Sequence, residues 1–175
     1  NITASASMYL IKTIFSVVLS IGMILFGHGY PFKPIQLTVI SACCVGIPTF
    51  FLTYEPNFKR VSGDFLKTVF KNAFPFAFMI AICSTIIVNG GRVLGLEKEM
   101  LSTICVLLTS WCYYSGLRHI YAPLSHYRIF VIYIMQIVLY ISLIVGHQFL
   151  GLGNIDYIGA ITLMFLVTFS KVIYL

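Results

Sequence analysis

The chain has 175 residues, of which 59% are hydrophobic and only 9% charged, and it carries a formal net charge of +6. A soluble domain carries roughly 25% charged residues, so the composition excludes an ordinary soluble enzyme and places the chain in the membrane class. Excess Lys and Arg then belong on cytoplasmic loops and anionic lipid surfaces, which makes membrane lipid, not nucleic acid, the partner of the positive charge.

The chain opens on Asn1-Ile2-Thr3-Ala4-Ser5-Ala6-Ser7. This stretch is mostly small and polar, starts without Met and has no signal-peptide pattern, so it reads as the edge of a piece of a longer protein. Six apolar runs follow, approximately 8–26, 35–54, 73–89, 101–117, 129–147 and 156–174. A helix needs about 20 residues to cross hydrocarbon, with ~17 as the lower limit. The third and fourth runs are near that limit and are expected to extend into their flanks. The expectation is an all-α integral membrane protein: a bundle of six transmembrane helices, one domain over 1–175.

The first run holds Lys12, Thr13, Ser16 and Ser20. Lys12 is the one cation inside an apolar run. Either its long stem snorkels to the interface, or it faces the bundle, where an intramembrane charge is a functional hypothesis by default. Turn formers His28-Gly29-Tyr30-Pro31 lead to the second run, Pro34 to Asn57, which Gly46 and Pro48 interrupt. Pro48 has no N–H, so in a regular helix the carbonyl of Cys44 loses its donor. Within a bilayer such a carbonyl needs another partner: a neighbouring helix, a water or a bound cation. Interrupted helices of this kind build substrate and ion sites in transporters. The same run places Thr38, Ser41 and Cys44 roughly on one face at a spacing of three.

The second connection reads as a short amphipathic helix from Ser62 through Asn72, with Lys67 and Lys71 towards headgroups or towards a cytoplasmic domain. Asn89-Gly90-Gly91 is expected to open the third connection, and Gly151-Leu152-Gly153-Asn154 forms the last. Trp111, Tyr113 and Tyr114 read as aromatic-belt residues. Thr109, Ser110 and Gln136 are polar groups within runs, of the sort that usually glue membrane helices. Cys43, Cys44, Cys83, Cys105 and Cys112 lie in apolar runs without a Cys-x-x-Cys pair and read as small buried hydrophobes. Carboxylates occur only at run ends and in connections (Glu55, Asp64, Glu97, Glu99, Asp156). A strong calcium site wants several oxygen ligands with carboxylates among them, so this stretch alone does not supply one. Phosphate-binding glycine loops, metal-spaced His pairs and hydrolytic triads are missing from the sequence.

Orientation follows the Lys/Arg asymmetry of the loops. One side gathers Lys59, Arg60, Lys67, Lys71, Arg118, Arg128 and Lys171, the other Lys33, Arg92 and Lys98. Seven against three places both termini in the cytoplasm.

The segment Pro34-Ile35-Gln36-Leu37 through Gly46-Ile47-Pro48 to Glu55-Pro56-Asn57 resembles the sixth transmembrane helix of P-type cation-transporting ATPases. That family has a Pro-x-x-x-Gln-Leu opening, for which Pro31 or Pro34 supplies the proline, a Gly-Leu-Pro centre and a Pro-rich exit. Asn1-Ile2 and the small, polar helix after it resemble the start of the fifth helix, and Lys12-Thr13 with Gly46-Ile47-Pro48-x-Phe50-Phe51-Leu52 is similar to a bacterial subgroup, some members of which are linked to calcium. The resemblance is specific over 1–57 and topological beyond, where the chain would be the fifth to tenth helices.

The resemblance implies the C-terminal part of the transport domain of an ATP-driven cation pump in a bacterial plasma membrane. Thr13, Ser16, Ser41, Cys44, Gly46 and Pro48 are then cation-pathway candidates, Lys12 a built-in counter-charge, and Lys67 and Lys71 a coupling loop. The transported cation, calcium or another metal, stays unassigned. ATP and Mg2+ would be handled by upstream cytoplasmic domains, and the first four helices would also lie upstream. There are departures. The ligand positions ahead of Gly-Leu-Pro in calcium and sodium/potassium pumps are Ser41, Cys44 and Val45 here. The fifth-helix carboxylate falls near Ser16 and its Asn near Thr13. The eighth-helix acid has no counterpart in 101–117. Two rivals stand beside this reading: a secondary transporter with Gly46–Pro48 as its unwound site, and a non-transporting scaffold subunit. An upstream Asp-Lys-Thr-Gly-Thr would favour the pump.

Overall fold

A computed structural model describes residues 2–27, 29–55 and 64–152. Among these the protein is entirely helical, with five helices long and apolar enough to cross a membrane. They are α1 (Ile2–Leu25), a second span made of α2 (Pro34–Ile40), a π-helical segment (Ser41–Gly46) and α3 (Ile47–Thr53), then α4 (Phe65–Val93), α5 (Lys98–Ile120) and α6 (His126–Val145). A single turn, α7 (His147–Leu150), follows. The run at 156–174, Ser62, Lys59, Arg60 and Lys171 lie outside the described residues.

Helix α1 buries Met8, Ile11, Phe15, Leu19 and Met23, one residue per turn. This stripe packs chiefly against α4, the third span, not against its sequence neighbour. The two helices come close at Gly22, where a Cβ would lie 3.4 Å from Thr85 Oγ1, an ordinary contact distance. The opposite face of α1 exposes Val17, Ile21 and Ile24, and that of α4 exposes Phe74, Phe78, Ile82 and Ile86. Such outward apolar stripes suit lipid, where no hydrophobic penalty applies. Helix α5 is central and buries residues on every side, from Met100 to Leu117.

Two segments differ from the sequence reading. The stretch 65–72 is not a separate surface helix. It is the first two turns of the 29-residue α4, with Asp64 as N-cap, so Lys67 and Lys71 are exposed on the end of a spanning helix. Nor does Asn89-Gly90-Gly91 open a connection. Asn89 Nδ2 bonds back to the Thr85 carbonyl at 2.8 Å and the helix runs on to Val93. The turn comes at Gly95 (φ +72°), where the Leu96 N–H reaches the Gly91 carbonyl at 2.9 Å and closes the helix end. Gly91 packs instead against α5, where a Cβ would meet the end of the Leu101 side chain and push it aside.

The bundle has two polar ends. At one, Ser5 Oγ and Tyr121 Oη are 3.1 Å apart, and Arg128 Nε donates to Glu55 Oε2 at 2.8 Å. At the other, Lys33 faces Glu99 at 3.8 Å and donates to the Gly151 carbonyl at 3.3 Å.

Candidate functional site

The second span remains helical through Gly46 and Pro48 and changes its register. Over Ser41–Gly46 the hydrogen bonds run five residues back, as in Ile47 N–H to the Ala42 carbonyl. A π-helical turn of this kind often marks a functional position. It also moves the orphaned group. In the i→i+5 pattern the donor absent at Pro48 belongs to the Cys43 carbonyl, not to Cys44 as an α-helical register requires. The Tyr114 hydroxyl fills the gap, donating to Cys43 O at 3.3 Å from α5. The neighbouring Val45 carbonyl accepts from Thr49 Oγ1 at 2.6 Å, and the same hydroxyl lies 3.1 Å from Gly46 O. A neighbouring helix and the span's own Thr49 thus supply partners for the freed backbone.

Tyr114 and Tyr113 are each 1% exposed. They are interior residues, and the aromatic-belt expectation fails for both. Tyr113 packs edge-on to Phe15 of α1 at 6.2 Å between ring centroids. The Cys44 thiol is fully buried within hydrogen-bonding reach of Tyr114 and Ser110. The π segment thus sits where α1, α5 and α6 all touch it, in the middle of the bundle.

The other candidates are dispersed. Ser41 Oγ donates to its own helix at Leu37 O, 2.6 Å away. Thr13 is exposed and bonds Tyr9 O at 3.4 Å. Ser16 hydrogen-bonds the side chain of Tyr30 in the first connection, where burial pushes the Tyr30 phenol upward more than this bond lowers it. Lys12 is half-exposed. It lies seven residues beyond Ser5, so it is about 10 Å deeper than the Ser5–Tyr121 contact. Among the described residues, no hydrogen bond joins Lys12, Thr13 or Ser16 to Ser41 or Cys44, and no cluster of three His, Cys, Asp or Glu side chains forms. An open groove of about 440 Å³ does run beside Gly46, lined by Ser5, Tyr9, Thr49, Phe50, Thr53 and Tyr54, and its surface is mostly apolar.

Two further polar sites surround the second span. Gln36, fully buried, accepts from Lys33 N–H and Ser102 Oγ at 2.9 Å each and donates to the Leu150 carbonyl at 3.0 Å. At the far end Arg128 is buried, and besides Glu55 it donates to the carbonyls of Tyr121 and Pro123 at 2.8 and 3.1 Å. Sequence reasoning used Arg128 only as a topology charge. A Glu at a span exit and an Arg at a span entry on the same predicted side was the signal available.

Comparison with known proteins bears on this span. The chain is 31% identical over 140 residues to a probable cation-transporting ATPase of Streptococcus pneumoniae, exp7, covering 75% of this chain. It is 27% identical over 125 residues to the calcium-transporting ATPase CtpE of Mycobacterium tuberculosis, and 26% over 121 residues to that of Mycolicibacterium smegmatis, covering 62% and 61%. The homologues of this chain are P-type cation-transporting ATPases. The chain spans only 15–18% of the length of these ATPases. With five apolar spans among its described residues, it is an integral membrane protein whose helices fit part of a P-type ATPase transport domain. No family model matches the chain, and no solved structure matches it.

Proposed function

We propose that this chain is the C-terminal part of the membrane domain of an ATP-driven cation pump and helps to form its cation pathway. The observation that carries the proposal is the homology to cation-transporting ATPases, which covers three-quarters of the chain. The π-helical register around Gly46-Ile47-Pro48 supports it. That segment holds the backbone off the regular ladder in the middle of the bundle and beside an open groove lined by both hydroxyls and aromatic rings. Carboxylates from upstream helices would complete a cation site there, because the described spans bring none. The cation is calcium or another metal ion.

In this reading both termini are cytoplasmic and a sixth span completes the bundle in a bacterial plasma membrane. ATP and Mg2+ bind upstream domains, and Lys67 and Lys71 at the exposed start of α4 couple to those domains. Lys12, well below the interface, is the counter-charge that occupies the pathway when the ion has left. A charge at that depth costs a few kcal/mol and is retained where it has such a use.

The test is a cation-dependent ATPase titration of the full-length protein. Lys12→Ala and Ser41→Ala are each expected to shift the half-maximal cation concentration by about tenfold, equivalent to ~1.4 kcal/mol. Lys67→Glu/Lys71→Glu is expected to lower turnover while membrane insertion persists. Curves matching wild type for Lys12→Ala and Ser41→Ala would remove the proposed pathway.

A further inference from the structure

Helix α4 carries an outward stripe with two different ends. Lys67, Lys71, Phe74 and Phe78 are spaced by three and four residues, so they share one face of the helix. All four are exposed, as are Phe70 at the edge of the stripe and Ile82 beyond it. The rings are ordered along the helix. Phe70 and Phe74 lie 5.9 Å apart between centroids, and Phe74 and Phe78 lie 5.3 Å apart and nearly parallel, at 16°. Two cations therefore stand at one end of the stripe and a stacked apolar wall continues from them. Among the described residues neither lysine is paired with a carboxylate, although Asp64 stands at the N-cap one turn ahead. Pro75 lies inside the same helix and is exposed. It has no N–H, so the Lys71 carbonyl loses its regular helical donor. Positive charge, a carbonyl acceptor and an apolar wall thus follow one another along one helix face.

We propose that this stripe binds an anionic phospholipid of the cytoplasmic leaflet. Its phosphate sits on Lys67 and Lys71, a headgroup hydroxyl meets the Lys71 carbonyl, and an acyl chain lies along Phe74 and Phe78. The inference rests on the topology proposed above, which puts the start of α4 in the cytoplasm. That is the side where anionic lipids attract juxtamembrane cations, each contributing a several-fold gain in affinity. The lipid gives the two lysines a membrane partner besides the upstream domains, so lipid composition sets how much of this basic end is available for coupling.

The full-length protein is reconstituted in nanodiscs with a photoreactive analogue of phosphatidylglycerol or the matching phosphatidylcholine, and labelled peptides are mapped by mass spectrometry. Labelling of residues 65–82 should be about 20-fold stronger with phosphatidylglycerol, from two cations at roughly fivefold each. Lys67→Gln/Lys71→Gln should lose that preference, and Lys67→Arg/Lys71→Arg should keep it. Labelling on the outward face of α6, at Tyr133, Ile137 and Ile141, should stay constant and reports an inserted bundle. Equal labelling of 65–82 by the two lipids, or an unchanged preference in the glutamine variant, overturns the site. So does loss of the preference on adding millimolar inorganic phosphate at constant ionic strength, since a free anion is then the ligand. Absence of label at 65–82 with either lipid, while α6 is labelled, shows a protein surface in the lipid's place and also overturns it. The topology has its own test. The five native cysteines are buried, so Leu66→Cys, at a position 66% exposed, reports its side of the membrane to an impermeant thiol reagent. Reaction only after the cells are opened is expected. Reaction in intact cells overturns the topology and the cytoplasmic leaflet with it, whereas failure of the lipid preference alone leaves the topology standing.

Discussion

Arg128→Gln removes the cation that ties three segments together at one end of the bundle. In the native protein Arg128 Nε donates to Glu55 at 2.8 Å, and a terminal nitrogen donates to the Tyr121 and Pro123 carbonyls at 2.8 and 3.1 Å. The side chains are 7% and 28% exposed. Removing one partner of a fully buried pair costs about 3–5 kcal/mol, because the other charge is stranded. Here Glu55 keeps some solvent and still accepts from Ser125 Oγ at 2.9 Å, so its share falls to about 1–2 kcal/mol. Two carbonyls also lose a charged donor, which adds about 1–2 kcal/mol. The total is about 3 kcal/mol, or roughly 6–12 °C in Tm for a unit of this size. The five cysteines are all buried, so a thiol-reactive fluorogenic dye reads unfolding directly in detergent. Glu55→Gln should cost less, about 2 kcal/mol, since Arg128 keeps both carbonyls. The double variant should be less destabilised than the sum of the singles by about 1 kcal/mol or more. A Tm change under about 2 °C for Arg128→Gln, or strictly additive singles, would refute the reasoning.

Tyr114→Phe leaves the buried Cys43 carbonyl without its hydroxyl donor and should cost about 1–3 kcal/mol. Pro48→Ala restores an N–H five residues on from Cys43, so the double variant should regain part of that loss; additive Tm changes would show that Tyr114 does not serve this carbonyl. Gln36→Leu keeps the volume but strands the partners on Lys33, Ser102 and Leu150, and should lower stability by about 2–4 kcal/mol in the same dye assay. A neutral Gln36→Leu would mean that water replaces the side chain there.

The sequence by itself determined the membrane class, the approximate places of the five described spans and the interrupted second run. Those features are local. Crossing hydrocarbon demands about 20 apolar residues in a row, and proline acts on its own turn wherever it is placed. The resemblance carried by Gln36-Leu37 and Gly46-Ile47-Pro48 was local too, and the homologous ATPases agree with it. Only the tertiary structure decided how the interruption is answered. The carbonyl left without a donor in the π register is answered by Tyr114, 71 residues away in sequence. The same holds for Arg128, which hydropathy counts as a loop charge and packing buries against Glu55. It holds also for Gly91, a turn signal by composition that the close approach of Leu101 makes a packing residue. Partners such as these are set by which spans pack together, and the apolar stripes that α1, α4 and α6 turn outward leave that choice open until the bundle forms.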